Sequence, residues 1–334
     1  MIYPDFLKKG SLIGVTAPSG GINEKKLPSY LLSLEHLKKQ GWRVRETADV
    51  RLPFVPSAPA EQRGRELNEL FADPQIAAVL CATGGDFLCE CLPYADFAAL
   101  SARPKWVQGY SDPTGLLFSV TTRLDVATIY GPNAGGFSME SLHPALENSL
   151  AFLRGETPVQ RSFDRYQPFF ADDTPDGSYA LTEPVRWEAV NGDFEAEGRI
   201  LGGCLDVLES VLLGTPFEDV RGFAKRYEAD GVIWYFDVFS MTPEQIFYAL
   251  WRMEQAGWFR TARAFLFGRP AIPNTEYSLF DGYPAALRRA LGDETKIVWN
   301  ADIGHVKPAF TLVNGAYGRV TAQNGGGTLE TKLI

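Results

Sequence analysis

Short apolar runs alternate with amphipathic stretches through the first half of the chain. Ser11 to Ala17 reads as a buried strand, and Pro18-Ser19-Gly20-Gly21 as its exit loop. From Leu27 to Gln40 the positions Leu31, Leu34 and Leu37 follow helical spacing, with Gly41 as the stop. Trp42 to Thr47 predicts a second strand. Ala60 to Ala72 predicts a helix with Leu67, Leu70 and Phe71 on one side. Ile76 to Thr83 is a third strand, apolar through Ala77-Ala78-Val79-Leu80 and ending in Gly84-Gly85, and Lys105 to Tyr110 is a fourth. Strands alternating with helices imply a parallel, doubly wound sheet, in which ligands bind beyond the carboxyl ends of the strands. Gly84-Gly85 and Gly109-Tyr110-Ser111-Asp112 would both lie at that end.

From Pro158 to Glu197 the chain becomes rich in Asp, Pro, Gly and aromatic residues, as in Asp172-Asp173-Thr174-Pro175-Asp176-Gly177, and long periodic segments cease. This predicts a first domain over 1–160, a connection over 161–185 and a second domain over 186–334. In the second, helices are expected over Leu205–Leu213, Pro243–Ala256 and Tyr283–Leu291. Strands are expected over Gly231–Asp237, Ala264–Phe267 and Ile297–Trp299, with a β-rich tail after Pro308.

A length of 334 residues with 45% hydrophobic and 22% charged residues supports two packed cores and excludes wholesale disorder. The net charge of −9 lacks the basic footprint of a nucleic-acid binder and argues against an anionic membrane surface. The beginning, MIYPDFLKKG, has no long apolar core of a secretory leader, and no apolar run is long enough to span a bilayer. A cytoplasmic setting is therefore expected, with Cys81, Cys89, Cys91 and Cys204 as reduced thiols. Only His36, His143 and His305 are available as imidazoles, and no four-ligand spacing for zinc is present, so neither metal nor cofactor is expected.

Three residues could carry chemistry. Ser111 follows an apolar strand and precedes a helix, the context of a nucleophile elbow. There the next amide, that of Asp112, and the helix N-terminus can face an oxyanion. The string lacks the second glycine of G-x-S-x-G, having Pro113 there, and either Ser111 or Asp112 could simply cap the helix. His305 sits after a strand in Asp302-Ile303-Gly304-His305. His36 reads as exposed on its helix and His143 as a helix-start residue, which leaves His305 as the general base by elimination. Asp237 ends the run Val232-Ile233-Trp234-Tyr235-Phe236, where a buried carboxylate is costly unless paired. Orienting a histidine would pair it, as would capping or a salt bridge in its loop.

Taken in order, six stretches resemble the serine LD-carboxypeptidase family, which includes murein tetrapeptide carboxypeptidases and microcin C immunity peptidases. They are Gly10–Ser19, Arg63–Gly85, Lys105–Thr114, Tyr130-Gly131-Pro132-Asn133, Glu197–Thr215, and Gly231–Pro270 followed by Asp302–His305. The approach over Asn191–Gly203 and the pair Trp258-Phe259 look closer to the immunity-peptidase branch. The resemblance implies a flavodoxin-like N-terminal domain, a smaller β-rich α/β C-terminal domain, a site between them and a homodimer. It assigns the nucleophile to Ser111, the histidine to His305 and the carboxylate to Asp237. The oxyanion donors would be the amides of Asp112 and Gly85, with Gly84, Asn133 and Trp187 near substrate.

Two departures stand out. The family carboxylate is normally Glu, and Asp reaches about 1.5 Å less far, although a change to Glu is expected to be partly tolerated. The second is Cys204, where the family often has Asn. The implied substrate is a small peptide or an aminoacyl-nucleotide conjugate. A free terminal carboxylate would want Arg63, Arg65, Arg123 or Arg269, and a nucleobase an aromatic platform from Trp187, Phe194 or Trp234. The rival of another class is a catalytically silent binding protein on the same scaffold. A nicotinamide enzyme is disfavoured because G-x-G-x-x-G is absent.

Overall fold

A computed structural model describes residues 1–174 and 177–334. Pro175 and Asp176, part of the stretch expected as a connection, lie outside the described residues. The chain divides into two compact units. One is Met1–Glu156 with Thr311–Asn314, and the other is Thr157–Asp173 with Tyr179–Phe310 and Gly315–Ile334. The stretch expected as a connection thus contributes mostly to the second unit, which is as long as the first although the resemblance implied a smaller one.

The first unit runs β1 (Leu12–Thr16), α1 (Leu27–Lys39), β2 (Arg43–Glu46), α2 (Ala60–Ala72), β3 (Ile76–Cys81), α3 (Phe97–Ala102), β4 (Trp106–Gly109), α4 (Thr114–Leu124), β5 (Thr128–Tyr130) and α5 (Pro144–Arg154). These five strands are parallel in the order β2-β1-β3-β4-β5, which is the flavodoxin-like winding. Every residue of β1, β4 and β5 is buried, as expected for strands covered on both faces. His143 caps α5, its Nδ1 accepting from the Ala145 amide at 3.2 Å. His36, expected to be exposed, is instead buried, because its face of α1 packs on the turn Ala134–Gly136 and its Nε2 bonds the Met139 carbonyl at 2.6 Å. That pairing spans 103 residues and leaves no trace in local periodicity.

The second unit begins with the short strands β6 (Gln160–Arg161), β7 (Arg165–Tyr166), β8 (Glu183–Pro184) and β9 (Glu188–Ala189). It continues through β10 (Phe194–Cys204), the single turn α6 (Leu205–Val207), α7 (Val220–Arg226), β11 (Val232–Asp237), α8 (Pro243–Gln255), β12 (Ala262–Gly268), α9 (Gly282–Leu291) and β13 (Ile297–Ala301). After β14 (Leu312–Asn314), which pairs antiparallel with β5 in the first unit's sheet, come β15 (Tyr317–Gln323) and β16 (Gly326–Lys332). The second sheet has the order β6-β16-β15-β10-β11-β12-β13-β9, parallel from β10 to β13 and antiparallel outside.

Strand β10 joins these two regimes, pairing antiparallel with β15 along its whole first part and parallel with β11 from Arg199 to Cys204. The parallel register sets Cys204 beside Asp237 at the carboxyl end. Trp234 stacks on Trp258 with ring centroids 5.7 Å apart and meets Phe259 edge-on, so it is core, as its place in a strand suggested. Burying such a ring stabilises the fold by roughly 2–3 kcal/mol. No helix among the described residues is long and apolar enough to cross a membrane.

A Cβ at Gly202 would stand 1.8 Å from the Tyr235 carbonyl oxygen of the neighbouring strand. Gly202→Ala is therefore expected to cost about 3 kcal/mol or more, read as a lowered thermal midpoint. An unchanged midpoint would mean that β10 and β11 can separate without loss.

Candidate active site

The serine elbow is built on the first unit's sheet. β4 ends at Gly109, where a Cβ would come within 2.8 Å of Pro113 and 2.9 Å of Asn133 Oδ1, so only glycine fits. Asn133 fixes the next residue, accepting from the Tyr110 amide at 3.2 Å and donating to its carbonyl at 3.5 Å. It thus shapes the strand exit. Ser111 then adopts φ 71°, a left-handed conformation that costs a non-glycine residue about 1–2 kcal/mol. Its amide donates to the Tyr130 hydroxyl at 3.2 Å, and its carbonyl accepts from the Thr114 amide at 2.9 Å. The N-cap of α4 is Pro113, with no side-chain cap bond, so neither Ser111 nor Asp112 serves as that cap. The strained strand-turn-helix geometry is that of an elbow.

The loops after β1 and β3 meet beside it, where the winding of the sheet reverses. The Gly20 amide donates to the Gly84 carbonyl at 3.2 Å. A Cβ on Gly84 would lie 3.3 Å from Ser111 Oγ, so the bare glycine backbone packs against the serine. Gly85, at φ +144°, leaves no room for a Cβ beside Gly20. Asp112 binds these loops to the elbow: its Oδ2 accepts from Ser19 Oγ at 2.6 Å and from the Leu88 amide at 2.9 Å. Burial pushes this carboxyl up to about 6, against the lowering effect of those two hydrogen bonds. Arg63, fully buried, donates to the carbonyls of Pro18 (2.6 Å), Ala58 (2.9 Å) and Phe87 (2.8 Å) and to Glu90 (2.7 Å). Its guanidinium holds loops together and presents no fork to a ligand.

A carboxylate–histidine pair lies within the second unit. Asp237, wholly buried at the end of β11, lies 2.8 Å from His305 Nδ1 through Oδ2 and 3.0 Å through Oδ1. The His305 amide also donates to Oδ1 at 3.3 Å. Gly304 makes this contact possible: at φ +95°, its Cβ would fall 1.9 Å from Asp237 Oδ1. The shorter aspartate is thus met by a main chain that comes to it. Burial alone would push the imidazole down, but the Asp237 charge and hydrogen bond, with a smaller contribution from Asp206, outweigh it and raise His305 above its ordinary value. Burial chiefly, with the charges of Asp237 and Asp206, pushes the Cys204 thiol well up, so it stays neutral.

The loop carrying His305 is anchored by Asp302, which takes Arg269 in an ion pair, the Trp187 indole N–H at 2.9 Å and the Phe163 amide at 3.1 Å. Trp187 is 3% exposed and Phe194 8%, so neither offers an open platform. The aromatics that line a cleft are others, among which Phe170 is exposed and Trp299 buried. Tyr166, Phe169, Phe170 and Trp299 line a cleft of about 410 Å³ within this unit. Phe169 and Phe239 lean on the His305 ring at centroid distances of 6.2 and 4.8 Å. The doublet Phe169-Phe170 in an otherwise polar stretch was the available signal. Among the described residues no group of three or more His, Cys, Asp or Glu side chains is arranged to hold a metal ion.

A flavodoxin-like sheet bearing an elbow serine, and a second β-rich unit bearing a carboxylate–histidine pair, define a two-unit α/β protein. The chain belongs to the LD-carboxypeptidase family: the N-terminal domain model matches residues 13–131 and the C-terminal domain model residues 197–320. It is 31% identical over 66% of its length to a probable murein peptide carboxypeptidase of Bacillus subtilis, spanning 62% of that protein. It is 27% identical over 61% of its length to the microcin C7 self-immunity protein MccF of Escherichia coli, again spanning 62% of the relative. A solved structure of MccF in complex with glutamyl sulfamoyl guanosine shares the fold, with TM-score 0.80 at 19% identity over 99% of each chain.

Two outcomes follow from this geometry. Asp237→Glu pushes a methylene toward Gly304 and should reduce turnover at least about a hundredfold, contrary to the tolerance the family pattern suggests; near-wild-type rates would show that the loop yields. For Asp112, a folded-state value near 6 against an unfolded one near 4 means that folding takes up a proton in that window. Wild-type stability therefore falls as pH rises from about 4 to 6. Asp112→Asn should gain relative to wild type across that window, by up to ~3 kcal/mol, and a pH-independent difference in denaturation would refute the buried-charge reading.

Proposed function

We propose that this chain is a serine amidase in which Ser111 is the nucleophile, His305 the general base and acid, and Asp237 the carboxylate that orients it. The observation that carries the reading is the strained backbone of Ser111. Ser111 is left-handed between a buried strand and a helix, and strain of this kind gathers where a side chain must be presented. The carboxylate–histidine pair supports it: with Nδ1 turned to Asp237, Nε2 is the ring atom that takes and returns the proton.

As Oγ bonds to the amide carbon, His305 accepts the serine proton, and the amides of Asp112 and Gly85 receive the oxyanion. His305 then protonates the leaving nitrogen as the C–N bond breaks. Water, deprotonated by the same ring, attacks the acyl ester; the acid is released and the proton returns to Oγ.

Family membership supports a murein peptide or an aminoacyl-nucleotide conjugate as substrate, and the structure favours the second. The arginines considered for a free terminal carboxylate are engaged elsewhere: Arg63 and Arg269 as above, Arg65 with Glu61, and Arg123 over the Phe97 ring. The cleft lined by Phe169 and the exposed Phe170, with Phe169 beside the His305 ring, suits a planar base. The reading keeps a cytoplasmic homodimer as the working assembly, with no cofactor and no nucleic-acid or membrane partner. The rival remains a silent binding protein on the same scaffold.

Incubating wild type and Ser111→Ala with a murein tetrapeptide beside glutamyl sulfamoyl adenosine, with products read by mass spectrometry, tests both levels. The expected result is cleavage of the nucleotide conjugate, reduced by about a thousandfold or more in Ser111→Ala. Release of a terminal D-residue alone would move the substrate to murein peptides. Equal rates in the two proteins would remove Ser111 from the mechanism, and no cleavage of either compound would favour the silent scaffold.

A further inference from the structure

Asp206 is a second carboxylate at the carboxyl end of the second sheet, and the triad leaves it without a role. It lies two residues past Cys204, which the β10–β11 register sets beside Asp237. Its position in the one-turn α6 aims it at the loop that leaves β11. There its two oxygens divide between consecutive main-chain donors: Oδ2 accepts from the Phe239 amide at 2.9 Å and Oδ1 from the Ser240 amide at 3.2 Å. The Cys204 thiol stands 3.8 Å from Oδ2. A carboxylate that receives two adjacent amides defines the path of the loop. The residue whose amide it holds more closely, Phe239, lays its ring on the His305 imidazole, at 4.8 Å between centroids and 54° between planes.

We infer that Asp206 is a positioning residue for His305: it pins the loop after β11 so that Phe239 walls one side of the imidazole, and it adds a second negative charge behind the Asp237–His305 pair. Asp237 sets the ring's direction through Nδ1, whereas Phe239, held by Asp206, limits its swing. The charged and titratable groups that bear on the ring are Asp237 from β11 and Asp206 from α6, with the neutral Cys204 thiol between them; Phe169 and Phe239 supply the aromatic walls. The Asp206 charge favours the imidazolium, in line with its share in raising His305. Burial and the neighbouring Asp237 push the Asp206 carboxyl upward while the Phe239 and Ser240 amides hold it down. In a histidine that must carry a proton in mid-reaction, such a charge stabilises the intermediate state.

This rests on the proposed role of His305, and its first test needs no substrate. In the full chain labelled at the C–H positions of histidine, the three imidazoles give separate resonances, and His305→Gln identifies that of His305. Asp206→Asn keeps an acceptor for one amide and removes the charge. The His305 midpoint should move down, and the ring-current displacement caused by Phe239 should shrink. Asp206→Glu, which retains the charge, should restore the midpoint at least in part. A purely structural cap would leave the midpoint in place once folding is confirmed by circular dichroism. An unmoved midpoint and unmoved ring-current shift in a folded Asp206→Asn would overturn the inference, whatever the enzyme does.

Phe239→Leu supplies an arm that does not disturb Asp206. It should abolish the ring-current displacement while leaving the charge effect, and a retained displacement would likewise overturn the assignment. Where Ser111-dependent cleavage is seen, Asp206→Asn should lower kcat by about ten- to a hundredfold with KM little changed, and the acid limb of its pH profile should follow the His305 midpoint. A variant that raised KM alone would place Asp206 in substrate binding and defeat the positioning role. Absence of cleavage in wild type would count against the amidase reading, with the titration still deciding this one.

Discussion

A carboxylate buried at the end of a strand must be met by donors, and in the second unit everything near the histidine is arranged around that demand. Asp237 is wholly enclosed, and the ring and the amide of His305 both reach it. Both arrive because Gly304 has no side chain where its Cβ would collide with the carboxylate. The loop is held in turn by Asp302, which gathers Arg269, Trp187 and Phe163 beneath it. An unpaired carboxylate here would cost several kcal/mol, so the pair constrains the loop, the loop constrains the ring, and the ring's usable nitrogen follows.

The first unit solves a different problem, presenting a small polar side chain above a sheet whose strands are buried on both faces. It does so through strain at Ser111, and the strain persists because the surroundings over-determine it. Tyr130 takes its amide, Asn133 holds Tyr110, and Gly109 and Gly84 leave space that no side chain could share. Asp112 then joins two strand-end loops to the elbow with two hydrogen bonds. The buried Arg63 fastens the outer parts of the same loops, so a cation that a sequence reader would hold ready for a ligand is spent on main-chain carbonyls. A buried group that donates to three main-chain carbonyls is costly to remove for any other duty.

The departure from the family's glutamate looks different once the loop is seen. Shortening a carboxylate by a methylene would leave a gap if the rest of the site were fixed. Here the glycine-bearing loop occupies the gap, and its amide adds a second bond to the same oxygen.

Much was legible before any coordinates. Alternating β-rich and amphipathic runs announced a parallel, doubly wound sheet, because side-chain period reports burial directly. Ser111, Asp237 and His305 stood out because each sits where a strand ends, and position along the chain carries that information. The aromatic cleft did not stand out, since Tyr166, Phe169 and Phe170 lie far in sequence from Trp299 and share no periodicity with it. His36 was misread for the same reason, its partner lying across the fold at Met139. Sequence by itself determined which residues could form strands, turns and reactive groups, because those depend on neighbours along the chain. Tertiary structure alone decided that Arg63 is a strut, that Trp187 is buried, and that Gly304 lets the His305 ring and amide reach Asp237, because each depends on groups that only folding brings within a few ångströms.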